Sequence, residues 1–427
     1  MAVNFSLLPP EYPVPDKAPS PFLSSIVFVV LALCGVAFAL WSWPRNEKTQ
    51  TVWFWFCVVV IPVCLSGAIV LRRFSHFYKR RSEALTHNRL SKVYADTVFE
   101  VASVPLAVLA AGYRLHADEQ ENTFEAIVAR SAKPPTRQAR DSHEMIVASC
   151  LEPVAAALTF DDEERQGIVL GWILHSFAPA VAEGLDAVPA RVPVEVYLDI
   201  NSAVLSGEAI QAIWQRIAAR VWPERLNVQP VIEPSGGPWL ADTILDRANP
   251  VQRDVVTLLI SVTLNRLRTA DPEPGSAEAA AMILLCPAAL ARTEQLPVAG
   301  WLHRPQVDTS IQPGGVLHYA LKWGGTAGAA VGGTIQTGFD ERSAAQLRIG
   351  LQAAGRSGNG ASSDFALETL AGNTGPTASW LATVLALGRA NACAAPYIAG
   401  VQSEGRILLA VLAPAENHMQ QDRQKDA

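Results

Sequence analysis

Two long uncharged stretches near the start of the chain constrain the fold most. Residues 22–43, FLSSIVFVVLALCGVAFALWSW, carry no charge over 22 positions, and residues 51–71, TVWFWFCVVVIPVCLSGAIVL, carry none over 21. As α-helices with a rise of about 1.5 Å per residue, both are long enough to cross a hydrocarbon core of about 30 Å. The loop between them, PRNEKTQ, has only seven residues, so the sequence predicts a transmembrane hairpin that returns to its starting side.

The flanking residues predict the orientation of this hairpin. Tryptophans fall at the loop end of both stretches, where amphipathic rings favour the headgroup layer: Trp41, Trp43, Trp53 and Trp55. A cleaved signal peptide is disfavoured, because about twenty polar, Pro-rich residues without a basic n-region come first and no small-residue cleavage site follows. RRFSHFYKRR, residues 72–81, outweighs Arg45 and Lys48 of the loop. We therefore expect a multi-pass protein of the bacterial inner membrane, with both the N-terminus and the large C-terminal body cytoplasmic.

Composition and cysteine usage exclude several other classes. Half of the residues are hydrophobic and only 17% are charged, which is typical of membrane segments, extensive buried sheet, or both. The net charge of −6 includes no long basic block, so no nucleic-acid partner is expected. Outside the two stretches, Cys150, Cys286 and Cys393 are isolated, without Cys-x-x-Cys or Cys/His ligand spacing. The sequence therefore predicts no metal site, disulfide framework or cofactor, and buried thiols that act as small hydrophobes.

From about residue 83 the chain alternates between strand-like and helix-like segments. Apolar runs of strand length cover residues 104–115, 192–200, 227–234, 255–264 and 279–286. Helical periodicity fills the gaps, as in EERQGIVLGWILHSFAPAVAEGL, whose preceding FDD reads as an N-terminal cap. Strands that alternate with helices predict βαβ units and a sheet covered by helices.

After the polar stretch HRPQVDTSIQPGG the same pattern starts again. GGVLHYALKW, GGTIQTGF and SDFALETLA are predicted strands, DERSAAQLRIGLQAAG and TASWLATVLALGRAN are predicted helices, and APYIAG and GRILLAVLAP form a predicted antiparallel pair with a turn at residues 403–405. The repeat predicts an internal duplication of the order βαβαβαββ. The predicted segments are a polar Pro-rich tail, a hairpin, a first lobe, a second lobe and a polar C-terminal tail: 1–21, 22–72, 83–300, 301–414 and 415–427.

The duplicated order and three short segments resemble the thiolase-like superfamily. PGSAEAAAMILL, GNTGPTASWLATVLALG and YIAGVQSEGRILLAVL are similar to segments of its β-ketoacyl synthases. The resemblance implies an α/β fold, a transmembrane hairpin followed by a duplicated thiolase-like body. It also implies that GGPWLADTILDRA and TGPTASWLATVLALG are shared central helices, and that NVQPVIEP is a candidate dimer edge. Because Pro230 and Pro234 each remove a backbone donor from that edge, we expect dimerisation to be weak or absent.

At the matching positions of this sequence, the catalytic residues of the resembled family have no counterparts. Its nucleophile would lie in EPSGGPWLADTIL, which has no cysteine and in which Ser235 has no obvious base. Its two histidines would fall near QTGFDE and GNTG, where this chain has Gln336, Thr337 and Asn373, which do not transfer protons near neutral pH. GNTG reads instead as a turn before a helix. We therefore predict no catalytic residue and no enzyme activity.

The remaining histidines leave one enzymatic alternative open. His303 and His318 lie among apolar residues without acidic neighbours in sequence, which is typical of structural histidines. An acyl-transfer or condensing enzyme with an atypical nucleophile stays open if Cys150 or Cys286 lies beside either of them in a cleft.

A membrane region joined to a non-catalytic thiolase-like body resembles the type VI secretion lipase adaptor proteins. This similarity rests on the architecture and on segments such as AEAAAMILL and WLHRPQ. It implies a membrane-anchored adaptor that binds a protein effector, such as a lipase, for loading onto the secretion apparatus, and that contacts membrane lipid through the hairpin. A structural membrane subunit of a secretion complex is a further alternative.

Overall fold

The computed structural model describes residues 8–44, 50–140, 143–226, 228–234, 236–247, 254–309, 311, 315–356 and 363–415. The chain forms two compact units, Val3–Phe99 and a second that begins at Glu100. Both sheet-forming halves therefore belong to one unit. The predicted first lobe, residues 83–300, begins inside the helix Ile61–Ala102, and residues 83–99 of that helix belong to the first unit.

The first unit is helical. Helix α1 spans Pro21–Ser42, with the Ser20 side chain capping its start. A second helical segment, Val52–Ala102, consists of α2 (Val52–Trp55), a π-helical turn (Phe56–Val60) and α3 (Ile61–Ala102). A Cβ on Gly35 would lie 2.7 Å from the Cβ of Pro62, and the rings of Trp43 and Phe54 meet edge to face at 4.9 Å. The two apolar helices therefore pack against each other within this unit.

Three described helices are long and apolar enough to cross a membrane: α1, Val52–Ala102 and Asp162–Asp186. The third was not predicted as a span. It carries Arg165 with a fully buried side chain, and its Leu170, Ile173 and Phe177 belong to the hydrophobic core of the second unit. We therefore treat it as a core helix of the body.

The second unit contains two successive sets of strands and helices. The first set comprises β1 (Leu106–Arg114), α4 (Phe124–Ser131), β2 (Thr136–Gln138), β3 (Met145–Val147), α5 (Val154–Ala157), α6 (Asp162–Asp186), β4 (Val194–Asn201), α7 (Gly207–Val221), β5 (Val231–Ile232), α8 (Trp239–Arg247), β6 (Val256–Thr263), β7 (Ala279–Pro287) and α9 (Ala288–Thr293). The second comprises β8 (Gly300–Leu302), β9 (Gln306–Asp308), α10 (Val316–Trp323), β10 (Gly333–Thr337), α11 (Glu341–Ala353), β11 (Asp364–Ala366), α12 (Leu367–Ala371), α13 (Ala378–Cys393), β12 (Tyr397–Ser403) and β13 (Arg406–Pro414).

Strand order shows the duplication. Along the main sheet the order is β11-β10-β12-β13-β8-β1-β7-β6-β4-β5. Each set contributes five strands to this order, β1, β4, β5, β6 and β7 in the first set and β8, β10, β11, β12 and β13 in the second. Numbered one to five along the chain, the five strands lie in the spatial order third-second-fourth-fifth-first in both sets. In both sets the fifth strand is antiparallel to the fourth. The first strands of the two sets, β8 and β1, pair with each other and join both halves into one sheet. The predicted duplication βαβαβαββ is thus present.

Three hydrophobic clusters place the helices in layers. One holds α6 and α7 against one face of β4, β6 and β7. A second holds α8 and α13 between the other face of these strands and the second set's strands. A third packs α10 and α11 on the far face of β12 and β13. The two helices predicted to be central, α8 and α13, are therefore central. All residues of β6 and β7 are buried, as expected for strands covered on both faces.

Several local predictions are wrong. GGVLHYALKW is not a strand, because its residues Val316–Trp323 form α10, which buries Val316, Leu317, Ala320 and Leu321 in the cluster against β12 and β13. In SDFALETLA only residues 364–366 are extended, and α12 follows. In NVQPVIEP only Val231 and Ile232 pair, with β4 alone, so this segment is the edge strand as predicted but a very short one.

Candidate functional site

The N-termini of the two central helices meet at one place in the body. Gly236 and Gly237 have positive φ angles of 66° and 68° just before α8. A Cβ on Gly237 would lie 2.7 Å from the Oγ of Ser379 in the first turn of α13, so only glycine allows this approach. Because the positive ends of both helix dipoles lie close together here, the place favours a negatively charged or strongly polar group.

Hydroxyl groups line the strand side of this place. The Thr263 hydroxyl donates to the Oγ1 of Thr377 at 3.0 Å, and the Ser261 and Thr377 hydroxyls lie 3.1 Å apart. All three side chains are buried. Asn201, at the end of β4, lies against the turn Gly375–Thr377 that precedes α13, since a Cβ on Gly375 would come 3.4 Å from the Asn201 Nδ2. None of these groups is a strong nucleophile or a base at neutral pH.

The predicted nucleophile position lies between β5 and α8. Ser235, which occupies it, lies outside the described residues. The segment from 227 to 253 contains neither cysteine nor histidine, so the sequence supplies no thiol or imidazole at the start of α8.

The thiols of the body lie outside the segments 236–239 and 375–379 that form this place. Cys286 is fully buried in β7, and its Sγ lies 3.4 Å from the carbonyl oxygen of Pro287. Burial raises the pKa of its thiol to about 12. Burial, followed by the nearby Glu278 carboxylate, raises the pKa of Cys150 to about 11. Raised pKa values oppose thiolate formation and hence nucleophilic catalysis. Cys393 is exposed at the end of α13, where its Sγ lies 3.4 Å from Arg389 and 3.6 Å from the Tyr397 hydroxyl.

The histidines singled out by the sequence make other contacts. His303 is buried, and its Nδ1 lies 3.1 Å from the carbonyl oxygen of Trp323. His318 is exposed on α10, with its ring 5.2 Å from that of Tyr319. In the described part of the chain no hydrogen bond joins either imidazole to Cys150, Cys286 or Cys393.

Gln336 and Thr337 end β10, as the resemblance implies. The Gln336 side chain is buried and donates to the Thr334 hydroxyl at 2.7 Å. Thr337 donates its hydroxyl to Glu368 at 2.7 Å, and the Gly338 N–H donates to the same carboxylate at 2.6 Å. Gln336 therefore bonds within β10, whereas Thr337 helps to hold the loop after it through Glu368.

Asn373 sits in a turn, as predicted for GNTG. Gly372 and Gly375 have positive φ angles, and the Asn373 side-chain oxygen accepts from the Gly375 N–H at 3.0 Å. Its backbone pairs with the segment 275–277, and its side chain is exposed.

A buried ion pair fixes the segment on which this turn rests, and sequence reasoning missed it. Arg165 of α6 and Glu278 are both fully buried, and two hydrogen bonds of 2.9 and 2.6 Å join them. The carboxylate also accepts from the backbone N–H groups of Leu151 and Asn265, at 2.8 Å each. A single acid in the apolar run GSAEAAAMILL was the signal that could have identified it.

A second unpredicted carboxylate network lies at the start of α6. Asp161 caps the helix, as predicted from FDDEERQ. Asp162 instead accepts hydrogen bonds from the backbone N–H groups of Leu267, Arg268 and Thr269 and from the Thr269 hydroxyl. Burial raises its pKa, but these hydrogen bonds outweigh burial and hold the pKa below the ordinary aspartate value. In the described parts of the chain no group of three or more His, Cys, Asp or Glu side chains is arranged to hold a metal ion.

Comparisons with known proteins identify the fold. No known protein family matches the chain, and no curated protein matches it. Among solved structures, a ketosynthase from module 6 of the bacillaene synthase of Bacillus subtilis 168 is similar with a TM-score of 0.50 and 14% identity, over 73% of this chain and 71% of that one. A ketosynthase from module 1 of the bacillaene synthase of Bacillus amyloliquefaciens FZB42 has a TM-score of 0.50 and 11% identity, over 74% and 77%. The body of this chain thus has the mixed α/β, thiolase-like fold of the ketosynthases.

Proposed function

We propose that this chain is a membrane-anchored, non-catalytic adaptor that binds a protein partner through its thiolase-like body. One observation carries the proposal: the place where the N-termini of α8 and α13 meet is lined by hydroxyl and amide groups, and the pKa values of the Cys150 and Cys286 thiols are raised, which opposes thiolate formation. Because fold alone confers no activity, a ketosynthase fold built this way is best suited to binding.

The packing of the first unit supports the anchor. In this proposal α1 and the start of Val52–Ala102 form the hairpin predicted from the sequence, and the contacts of Gly35 with Pro62 and of Trp43 with Phe54 hold its two arms together. Large apolar side chains cover the outside of both arms, among them Phe22, Leu33, Leu65 and Leu71. Hydrocarbon is the medium in which such side chains are stable without a protein partner.

A surface patch on the body supports a protein partner. We name Val154, Leu158 and Phe160 the α5 patch, since they lie in or just after that helix with exposures of 83%, 75% and 96%. Exposed apolar side chains that cluster in this way mark interaction surfaces. The exposed acids Asp161, Glu163 and Glu164 border the patch. This rim repels an anionic bilayer and favours a partner with a basic rim around an apolar centre.

The resemblance to the type VI secretion lipase adaptors supplies the finer part of the proposal. In that reading the partner is a secreted lipase effector, held at the cytoplasmic face of the bacterial inner membrane until the secretion apparatus takes it.

Affinity purification of the full chain from detergent-solubilised membranes tests the proposal. We expect a lipase-class effector to copurify with the wild-type chain and to be lost from the variant Val154→Ser/Leu158→Ser/Phe160→Ser. The matched control is Ile349→Ser, which removes an apolar side chain with 63% exposure from α11 and should retain the effector.

Two results would contradict the proposal, the first its docking surface and the second its adaptor function. Retention of the effector by the α5 patch variant would show that the patch is not the docking surface. Copurification of core secretion components from cells without effectors would support a structural subunit instead.

A further inference from the structure

We propose that the first unit contains a binding site for the phosphodiester headgroup of an anionic phospholipid. The site, which we name the collar groove, has a volume of about 490 Å³ and is lined by Pro15, Pro19, Ile69, Arg72, Arg73, His76, Phe77 and Arg80. It rests on the membrane anchoring proposed above, and it adds a specific lipid ligand to that anchor.

The charges of the collar groove point to an anion. Arg72, Arg73 and Arg80 are exposed along one stretch of α3, and no salt bridge to any of them is found among the described residues. The acid closest along the helix, Glu83, lies 3.9 Å from Lys79, which does not line the groove. Three guanidinium groups without carboxylate partners attract a phosphate, for which Arg offers several donors in a planar fork.

The position of the groove favours a lipid over a soluble anion. The apolar helix α1 begins at Pro21 and the uncharged stretch of the second helical segment ends at Leu71, so the groove begins where both hydrophobic segments end. Ile69 and Phe77 add apolar surface beside the arginines. A ligand that combines a phosphate with the beginning of acyl chains matches this arrangement, because basic side chains next to a membrane helix bind anionic headgroups.

The N-terminal segment forms the second wall. Tyr12 and Asn88 exchange two hydrogen bonds, from the Tyr12 N–H to the Asn88 Oδ1 at 2.8 Å and from the Asn88 Nδ2 to the Tyr12 carbonyl at 2.9 Å. The rings of Tyr12 and His87 lie 3.8 Å apart. His87 and Asn88 lie about four helical turns beyond Arg72 and Arg73. Their contacts with Tyr12 hold the N-terminal segment along α3, and Pro15 and Pro19 of this segment line the groove together with the arginines.

The test compares two variants with the same change in charge. The full chain is reconstituted in nanodiscs that contain phosphatidylcholine with a minor fraction of phosphatidylglycerol, and retained lipids are counted by native mass spectrometry. Arg72→Gln/Arg73→Gln/Arg80→Gln removes the groove charges. The control, Arg81→Gln/Arg89→Gln/Lys92→Gln, removes three exposed charges of α3 outside the groove.

We expect the groove variant to lose affinity for phosphatidylglycerol by on the order of tenfold to a hundredfold, and the control to lose much less. An equal loss in both variants would overturn the site in favour of general surface attraction. Displacement of the lipid by excess inorganic phosphate would overturn the choice of a lipid over a free anion. Insertion into nanodiscs of phosphatidylcholine alone reports on the anchor separately, so failure of the anchor and failure of the lipid site are distinguishable.

Discussion

Removing the Glu278 carboxylate should destabilise the body more than any surface change. Glu278→Ala leaves the Arg165 guanidinium fully buried, with only Glu152 at 3.9 Å as a carboxylate neighbour. Burial lowers the pKa of Arg165, but the hydrogen bonds and charge of Glu278 outweigh this and hold the pKa above its ordinary value, so the arginine is ionised at every practical pH. Breaking a buried pair of this kind costs about 3–5 kcal/mol.

A double variant separates the ion pair from mere packing. Arg165→Met/Glu278→Leu removes both charges and leaves the N–H groups of Leu151 and Asn265 without their acceptor, at a cost of about 1–3 kcal/mol each. Since the desolvated charges are gone, we expect the double variant to be more stable than the sum of its single variants.

Thermal unfolding of the full chain in neutral detergent, followed by near-ultraviolet circular dichroism, measures these effects. For a unit of about 330 residues, starting at Glu100, a loss of 3–5 kcal/mol lowers the Tm by roughly 4–8 °C. Glu294→Ala is the control, because it removes the exposed pair with Arg191, and such pairs contribute about 0–1 kcal/mol. A Tm for Glu278→Ala within about 1 °C of the wild type would refute the role of the buried pair.

Because the basic segment 72–81 outweighs the charges of the short loop, a reporter fused after residue 90 should behave as cytoplasmic, and alkaline phosphatase activity from that fusion would reverse the orientation. With thiol pKa values of about 11 and 12, Cys150 and Cys286 should resist alkylation by iodoacetamide at pH 8 while the exposed Cys393 reacts, as peptide mass spectrometry of the native chain can show. Because the folded pKa of Asp162 is lowered, its stabilisation is complete above about pH 4 and is lost as the pH falls further; Asp162→Asn should therefore lower the Tm at pH 7 and flatten its acid dependence. The fragment from residue 83 should be monomeric by light scattering, since β5 pairs over only two residues, and a dimer that persists at nanomolar concentration would contradict this.

Continuous apolar runs were the part of the fold that the sequence predicts well. Strands β6 and β7 are buried along their whole length, so their sequences VTLLISVT and AAAMILLCP carry no charge and are mostly apolar. The turn between β12 and β13 was also predicted from the sequence, in which Gly405 marks it. Glu404 and Gly405 take positive φ angles there, as a tight hairpin requires. Such features depend on neighbours in sequence.

Short elements were predicted less well, because over a few residues the spacing of apolar side chains fits both the alternation of a strand and the periodicity of a helix. In VLHYALKW an alternating pattern and a helical pattern both place apolar residues on one face over a few positions, and only packing against β13 decides for α10. Similarly, the edge position of β5 leaves it with a single partner strand, and only two residues of its apolar run pair with that strand.

The candidate site was only partly predictable because its contacts are long-range. Gln336 and Thr337 at the end of β10, and Asn373 in its turn, lie near the positions that the resemblance implies. The hydrogen bond between Thr263 and Thr377 instead joins residues 114 positions apart, and the contact of Gly237 with Ser379 depends on the packing of two central helices. Neither leaves a local pattern.

We propose that this ketosynthase fold forms no acyl-enzyme intermediate, and intact mass spectrometry tests this proposal most directly. The full chain in detergent is incubated with an acyl thioester, whose carbonyl a reactive thiolate would attack with release of the thiol. We expect no acyl adduct on the body beyond the slow background of an exposed thiol, and the same result for Cys393→Ala without that background. Stoichiometric acylation that is lost in Cys150→Ala or Cys286→Ala would contradict it and identify the chain as an enzyme.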